Sequence, residues 1–429
     1  MNLSTPTIKT IRSEALAAAK PTPAPRLLSL LLPTALALYA NFQGLQQILV
    51  PVEVEAIDPQ GKIGNVAMIT MICAVTGVLG LTAGGAASDT TRSRWGRRAP
   101  WLVGMAIVSA VLTMGLGLQS GLLGMAVFCG ALWFSLNCFQ GALLAVTPDR
   151  VPDNKRSLAS SIIGVAGPLG AVVGVNIAAM APSEGGHAAL AAILVAATAM
   201  FVVFAREEAW LAPATPISDE AKRPGRQLRM TWGLLRSFTS RDFSLAYAFR
   251  LLMFIAQFSV NNFLLYILQD HIGVANLPSG DAQIAAGALN AVRTFATVAA
   301  IFLGFWLANR TERRKVFAQA YGLVMAAAMV VPALSPSWLG MLIFGVLGGV
   351  AMGLYSVVDL TLMSRVLPNR DSAGRDLALL VMAGASAQFV APLVGGALIR
   401  FLGYDALFLF AALVTLLAGA VTFLIRGVR

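Results

Sequence analysis

Charged residues are scarce in this sequence. Asp, Glu, Lys and Arg make up 12% of the 429 residues, whereas soluble globular domains contain about 25%. Apolar residues make up 57%, and the mean hydropathy is +0.76. These values exclude an ordinary soluble enzyme. Because a membrane-spanning helix needs about 20 apolar residues, the length accommodates about twelve such helices with short connections and no soluble catalytic domain.

Cysteine and histidine are also scarce. The three cysteines, Cys73, Cys129 and Cys138, all fall within apolar runs, which excludes a disulfide framework and a CxxC metal site. His187 and His271 are expected near one membrane surface as solvated imidazoles. No HExxH, GxSxG or GxxxxGK[ST] motif stands in a supporting context. We therefore predict no enzyme activity, no cofactor and no metal site, so that any transport is driven by an ion gradient or by the substrate's own gradient.

Twelve apolar stretches follow one another along the chain. They cover approximately residues 27–51, 65–88, 100–118, 122–147, 157–181, 187–205, 242–269, 282–308, 316–332, 337–363, 376–400 and 405–425. An even number of spans places both termini on the same side of a membrane. The polar, Pro-rich segment 1–26 is interpreted as a tail and not as a signal peptide.

The basic residues indicate the orientation. The formal net charge is +11, and most Lys and Arg residues lie in the tail, in the connections at 89–99, 148–156, 206–241, 309–315 and 364–375, and at the C-terminus. Lys and Arg near the ends of spans favour the cytoplasmic side. We therefore predict an inner (plasma) membrane protein with both termini in the cytoplasm. The charge is explained by orientation, and no nucleic-acid partner is expected.

The longest connection divides the chain into two halves of six spans. The predicted organisation is a cytoplasmic tail (1–26), an N-terminal six-helix bundle (27–205), a cytoplasmic linker (206–241) and a C-terminal six-helix bundle (242–429). Within the linker, apolar residues recur at helical spacing beside arginines, which predicts an amphipathic helix along the inner leaflet. These residues are Leu228, Trp232, Leu235 and Phe238.

Two sequence echoes support the division into halves. Gly85-x3-Asp89-x6-Gly96-Arg97-Arg98 follows the second span, and Gly304-x4-Asn309-Arg310-x2-Arg313-Arg314-Lys315 follows the eighth. Arg150-Val151-Pro152 follows the fourth span, and Arg365-Val366-Leu367-Pro368 follows the tenth. The predicted fold is an all-α membrane protein with twelve transmembrane helices in two pseudo-symmetric six-helix bundles.

At these residues the sequence resembles the major facilitator superfamily over its whole length. The resemblance implies two bundles related by a pseudo-two-fold axis along the membrane normal, with substrate between them and alternating access. The pattern Ser88-Asp89…Gly96-Arg97-Arg98…Pro100 looks more narrowly like the glycoside-pentoside-hexuronide cation symporters and the plant-type sucrose transporters. The segments 250–270 and 358–368 look like the same group.

Departures from that group bear on the coupling ion. Thr90 stands where the family commonly has Arg, and the second span contains no carboxylate, whereas melibiose-type sodium symporters use aspartates there. We therefore expect coupling to protons and not to sodium.

The loop after the second span is a candidate conformational latch. Asp89 ends a helix and stands beside several arginines on a short loop, so charge-assisted hydrogen bonds can hold neighbouring helices in one state. The alternative is that these arginines only retain the loop in the cytosol. The candidate latch residues are Gly85, Asp89, Arg92, Gly96, Arg97 and Arg98.

Polar and aromatic residues form stripes on four spans. The resemblance implies that the first, fourth, seventh and tenth helices line the central cavity, and on each of them such residues share one helical face. Carboxamides both donate and accept hydrogen bonds, and aromatic faces stack on sugar rings. The alternative is amide bonding between helices. The candidate substrate-binding residues are Tyr39, Phe42, Gln43, Gln46, Trp133, Asn137, Gln140, Gln257, Asn261 and Tyr355.

Arg250 and Asp359 are predicted to form a pair that couples transport to protons. Both lie about 10 Å inside the cytoplasmic face at 1.5 Å per helical residue, and Asp359 is the one carboxylate well inside a span. The alternative is a permanent ion pair that fixes helix packing. Arg293, with Asn290, either adds a cationic contact or holds a backbone carbonyl.

These observations predict a secondary active transporter, a proton-coupled symporter of a sugar or glycoside that acts as a monomer in the lipid bilayer. One alternative is a proton-coupled exporter of small organic molecules, because Gly164-Val-Ala-Gly167-Pro168-Leu-Gly170 loosely resembles the Gly-Pro motif of drug/proton antiporters. Close packing of small residues is the other explanation of that segment. A further alternative is a membrane assembly or pigment-delivery protein of the same fold.

Overall fold

A computed structural model describes residues 24–181, 183–207, 237–278, 280–308, 310, 315–365 and 373–425. Several expectations lie outside these ranges. They are the tail over residues 1–23, most of the linker with its predicted amphipathic helix, Asn309 of the second loop, and the stretch 366–368 of the second echo.

Within the described ranges the chain forms twelve helices long and apolar enough to cross a membrane. All twelve predicted spans are confirmed. The helices are α1 (Ala24–Ile57), α2 (Lys62–Thr90), α3 (Ala99–Leu116), α4 (Leu122–Arg150), α5 (Arg156–Met180), α6 (Ser183–Phe204), α7 (Arg241–Asn261), α8 (Ala282–Ala308), α9 (Lys315–Leu334), α10 (Trp338–Arg365), α11 (Ala373–Leu402) and α12 (Tyr404–Leu424).

The helices have the surface expected in lipid. In hydrocarbon the backbone must satisfy its own hydrogen bonds, which a helix does within the segment. Large apolar side chains such as Leu123, Phe295 and Phe302 are exposed on the surface. Such exposure would be costly in water and is favourable against acyl chains. The described chain is therefore a multi-pass membrane protein.

Helix pairing repeats between the two halves. In the first half α1 packs on α5 and α6, α2 on α4, and α3 on α4 and α6. In the second half α7 packs on α11 and α12, α8 on α10, and α9 on α10 and α12. Each pair of the first half reappears six helices later. The fold is therefore two pseudo-symmetric six-helix bundles.

Glycines bring helix backbones together inside each half. A side chain at Gly80 of α2 would overlap the backbone of Phe134 on α4, and one at Gly174 of α5 would overlap the backbone of Ala40 on α1. In the second half Gly349 of α10 lies equally close to the backbone of Arg293 on α8. Small residues permit this close approach, which is typical of helix packing in membranes.

Two ends of the molecule are distinguished by their loops. We call the end with the loops at 91–98 and 151–155 the basic end, and the end with the turns at 58–61 and 262–281 the opposite end. The two halves meet through α2 with α11 and α5 with α8. Hydrogen bonds between the halves join Tyr266 to Pro51 (2.8 Å) and Asn176 to Gly287 (3.4 Å). These contacts close the opposite end.

The expectation of solvated histidines is wrong. His187 on α6 is 1% exposed, because the chain at Gly117 packs over its ring. His271 is partly buried, with its Nε2 3.2 Å from the carbonyl oxygen of Pro332 and its ring against Tyr404 and Phe408. Both lie at the opposite end, but the packing of neighbouring helix ends removes them from bulk water.

Candidate functional site

A cavity of about 450 Å³ lies between the two halves. Helices α1, α2, α4, α5, α7, α8, α10 and α11 contribute to its wall, which extends toward the basic end as far as Leu81 and Val381. Nine of the ten predicted substrate-binding residues line it: Tyr39, Phe42, Gln43, Gln46, Trp133, Asn137, Gln140, Gln257 and Asn261. The predicted stripes on α1, α4 and α7 therefore converge on one space.

Tyr355 does not belong to the described wall of this cavity. It is 4% exposed and its hydroxyl donates to the carboxylate of Asp359 one turn later on α10. The residues Tyr355 and Asp359 are one helical turn apart on α10, so the tyrosine hydroxyl reaches the partly buried carboxylate. In the structure Tyr355 belongs with Asp359 and not with the cavity wall.

The aromatic side of the cavity is formed by α1 and α4. The ring centroids of Phe42 and Tyr39 are 6.5 Å apart, and those of Phe42 and Trp133 are 6.2 Å apart. Gln140 donates weakly to the Tyr39 hydroxyl over 3.4 Å. Neighbouring aromatic faces with nearby amides suit a ligand that has both a ring face and hydroxyl groups.

A chain of amides crosses from the first half to the second. Gln47 donates to Gln43 (2.5 Å), and Asn290 donates to Gln47 (2.8 Å). Gln46 donates to Asn262 on the far side over 2.8 Å. These contacts lie at the floor of the cavity toward the opposite end, so α1 is joined there to the ends of α7 and α8.

Gln47 and Asn262 also line the cavity, although the predicted stripes contain neither of them. Residues Leu45–Leu49 form a π-helical turn inside α1, which widens the helix and lets the consecutive residues Gln46 and Gln47 both reach the second half. Gln47 also lies four residues after Gln43, a regular helical spacing that places the two side chains on one face. Asn262 stands where α7 breaks before the short turn Leu264–Tyr266. Gln388 lines the cavity from α11, which is not one of the four helices that carry the predicted stripes.

Arg293 lies on the cavity wall as well. Its guanidinium donates to Asn261 Oδ1 (2.6 Å) and to Asn290 Oδ1 (2.7 Å). Both acceptors are side-chain amides, so the contact to a backbone carbonyl considered from the sequence does not describe the observed bonds. The side chain is partly buried and remains in contact with the cavity.

Arg250 and Asp359 are in contact. Arg250 Nη1 is 2.7 Å from Asp359 Oδ1, and both side chains are mostly buried. The Arg250 guanidinium also lies over the ring of Phe254, 5.5 Å from its centroid. The pair therefore joins α7 to α10, two helices that also carry cavity residues.

Four of the six predicted latch residues are brought together at the basic end. Arg98 lies 2.5 Å from Asp89 and 2.7 Å from Asp149, and Arg97 lies 2.7 Å from Asp89. Gly96 has a φ of +93°, which permits the turn that returns the two arginines to Asp89. Arg98 is 3% exposed, so the cluster is a partly buried ion network between α2 and α4.

Two predicted latch residues do not join the network. Arg92 is exposed and makes no ion pair with the described residues. A side chain at Gly85 would meet no atom within 4 Å. The network instead includes residues that the sequence analysis did not single out: Asp149, and Glu207, which accepts the backbone N–H groups of Arg98 (2.8 Å) and Ala99 (3.1 Å). Glu207 thereby caps the N-terminus of α3.

The glycines of the Gly-Pro segment of α5 differ in how closely other helices approach them. Side chains at Gly164 and Gly167 would meet no atom within 4 Å, whereas one at Gly170 would overlap α1 at Tyr39 and Ala40. Gly167 and Pro168 line the cavity. Close packing therefore explains Gly170, but it does not explain Gly164 or Gly167.

A cluster of charges closes the opposite end. Lys62 Nζ lies 2.8 Å from Glu55 and 2.9 Å from Asp270, and above the ring of Tyr266 at 4.8 Å. Tyr404 donates to the same Asp270 over 2.8 Å. One lysine thus joins α1 and α2 to the extension of α7.

Comparison with known proteins identifies the architecture. Residues 251–429 match the family model of the Major Facilitator Superfamily. No curated protein sequence matches the chain. Among solved structures, a POT family transporter in complex with a thioalcohol-conjugated peptide has a TM-score of 0.73 at 14% identity, over 92% of this chain and 95% of that one.

Two further solved structures have a similar fold. A bacterial homolog of the human lysosomal transporter Spinster, inward-facing and unoccupied, has a TM-score of 0.65 at 14% identity, over 94% of this chain and 99% of that one. The nucleoside transporter NupG has a TM-score of 0.67 at 11% identity, over 93% and 98%. The matched family and these structures are transporters and not enzymes, and the chain is a multi-pass membrane protein of the same major facilitator fold.

Proposed function

We propose that the protein is a secondary active transporter that moves a sugar or glycoside together with a proton by alternating access. The observation that carries the proposal is the cavity of about 450 Å³ between the halves, lined by amides and aromatic rings from four helices. A small-molecule site typically has a volume of about 300–1,000 Å³. A monosaccharide or a small glycoside matches both the size and the lining.

The contacts between the halves support alternating access. Tyr266, Lys62 and the amide chain join the two halves at the opposite end. The ion network of Arg98 lies at the basic end, within the first half. Rocking of one bundle against the other would break the first set of contacts and open the cavity on the other side. In this interpretation the cavity faces the basic end.

The choice of a sugar rests on the lining and on the resemblance to the glycoside-pentoside-hexuronide and sucrose transporters. The solved neighbours are named for a peptide and a nucleoside, and such names at 11–14% identity do not select a substrate. The choice of a proton rests on Asp359, the buried carboxylate beside Arg250.

The test is substrate-induced proton movement in proteoliposomes. Adding a transported sugar outside should make the external medium more alkaline in symport and more acidic in antiport, so the sign separates uptake from the exporter alternative. Gln257→Leu should reduce the response, whereas Gln119→Leu in the α3–α4 loop should not. No response to any sugar, with a copurifying protein or tetrapyrrole, would replace the proposal with the pigment-delivery alternative.

The proposed location is the inner membrane, with a monomer whose basic end and termini face the cytoplasm. A reporter that is active only in the periplasm should be active when fused after Pro278 or Pro336 and silent after Pro216 or Pro368. The expectation follows from the distribution of Lys and Arg. The reverse pattern would overturn the orientation, and a mixture of the two would overturn the number of spans.

A further inference from the structure

Arg293 differs from Arg98 and Arg250, the two arginines that are buried in the described part of the chain. Arg250 is paired with Asp359, and Arg98 is paired with two carboxylates. Arg293 has only the neutral amides of Asn261 and Asn290 as hydrogen-bond partners within the described chain. An arginine side chain stays protonated in proteins. The cavity wall therefore carries a positive charge that no carboxylate of the described residues neutralises.

The rest of the wall does not balance this charge. Among the described residues that line the cavity, Arg293 is the one charged side chain, and the remainder are apolar, aromatic, hydroxyl or amide groups. A charge inside a membrane protein is energetically costly, and charged residues found there are usually paired or have a function. The amide oxygens satisfy two of its N–H groups and leave its charge unpaired.

The guanidinium is held in a fixed orientation. A guanidinium has five N–H donors, and Asn261 and Asn290 accept two of them, one from each terminal nitrogen. Asn290 is itself held by Gln47, and the Arg293 backbone is packed against Gly349. Donors therefore remain for a ligand in the cavity, at a site whose orientation is set before the ligand arrives.

We propose that the transported molecule carries an oxyanion beside its hydroxyl groups, and that Arg293 binds this oxyanion. Guanidinium groups bind carboxylates and phosphates through paired, charge-assisted hydrogen bonds. The inference rests on the proposed function, in that the amide and aromatic wall binds the polyol part of the same molecule. It adds the charge of the substrate, which the amides do not specify.

The test uses matched ligands that differ at one carbon. Glucose, glucuronate and glucose 6-phosphate, and the same set built on galactose, offer a hydroxymethyl, a carboxylate and a phosphate ester at one position. Butyrate provides a carboxylate without hydroxyl groups. We expect the purified full-length protein to bind a sugar acid or a sugar phosphate at least about 10-fold more tightly than the neutral sugar, since hydrogen bonds to charged groups are stronger. The comparison between the two anions distinguishes carboxylate from phosphate.

Two variants assign the effect to Arg293. Arg293→Gln should abolish the preference for the anion, so that anionic and neutral sugars bind with similar affinity, whereas Arg293→Lys should keep the preference with weaker binding. Equal binding of neutral and anionic sugars by the unmodified protein overturns the inference and leaves the proposed sugar transport intact. Binding of butyrate but of no sugar refutes sugar transport and also the inference, because the oxyanion would then not stand beside hydroxyl groups. Binding of none of the anions refutes the inference, whether or not Arg293→Gln folds.

Discussion

Arg250 and Asp359 form an ion pair that lies outside the cavity it is proposed to serve. The two side chains are 2.7 Å apart, but each stands seven residues along its helix from the nearest cavity residue, Gln257 on α7 and Met352 on α10. At 1.5 Å per residue this is about 10 Å toward the basic end. A substrate in the cavity would therefore affect the pair through movement of α7 and α10 and not by direct contact.

The first prediction concerns this pair. Asp359→Asn should abolish substrate-driven proton movement and accumulation against a gradient, while exchange of labelled for unlabelled substrate continues. The amide keeps a hydrogen-bond acceptor for Tyr355 but does not bind and release a proton. The two activities are measured separately in proteoliposomes.

Asp405→Asn is the matched control, because this aspartate lies at the opposite end with a mostly exposed side chain. It should leave both activities unchanged. If folded Asp359→Asn protein still accumulates substrate against its gradient, the pair has a packing role only.

The second prediction concerns the ion network at the basic end. Asp89→Ala should lower the transport rate with less effect on substrate binding, if the network acts as the predicted latch of one conformation, because its described contacts include no cavity residue. A latch of about 1–3 kcal/mol corresponds to a change of about 5–150-fold in the equilibrium. The loss is expected near the low end, since Asp149 remains beside Arg98.

Removing both carboxylates should lower the transport rate by more than the two single substitutions together, because Arg98 is then buried without either of its two ionic partners. Asp89→Asn, Asp149→Asn and the double variant form the cycle. Asp153→Asn is the control, since its ion pair with Arg156 is exposed and such pairs contribute little. Additive losses would show that the two carboxylates act independently.

The third prediction concerns the closed end. Lys62→Gln removes the charge that joins Glu55 to Asp270 and should increase opening at the opposite end. The expected change is about 3–10-fold, because partly exposed ion pairs contribute roughly 1 kcal/mol each. The measurement is the labelling rate of Met352→Cys by a charged thiol reagent added at that end, in a variant without the three native cysteines. Lys155→Gln at the basic end is the control, and equal rates in all three proteins would contradict the prediction.

The fourth prediction concerns helix packing. Gly174→Ala should destabilise the protein by about 1–3 kcal/mol, because the added methyl group overlaps the backbone of Ala40 and must displace α1 or α5. Gly164→Ala on the same helix meets no atom within 4 Å and should be neutral or slightly stabilising. Thermal unfolding in detergent compares the two, and similar melting temperatures would show that the backbone contact is relaxed in solution.

The sequence predicts the features that follow from the hydropathy of the spans and from the period of the α-helix. All twelve spans follow from hydropathy, and the contact of Arg250 with Asp359 follows from their equal depth. The stripes place Gln43 and Asn137 on the cavity because a straight helix repeats every 3.6 residues. The predicted stripes omit Gln47, which lies four residues after Gln43 on α1. They include Tyr355, which forms a local hydrogen bond with Asp359 and does not line the cavity.

Contacts between distant helix ends were not predictable in the same way. Asp149 and Glu207 reach the loop at 91–98 only because α4 and α6 end beside it, and no spacing within the sequence indicates this. Arg92 illustrates the reverse case, since its place in the loop suggested a role in the network that its exposed side chain does not have in the structure.

The unpaired charge of Arg293 also has an electrical consequence. In a carrier that opens alternately at its two ends, water in the open side of the cavity gives the guanidinium nearly the electrical potential of the solution at that end. Each change of state therefore moves this charge within the transmembrane field. A full crossing corresponds to about 2.3 kcal/mol per 100 mV for one elementary charge. A potential that is negative at the basic end therefore favours the state open at that end, and a bound monoanion cancels this bias.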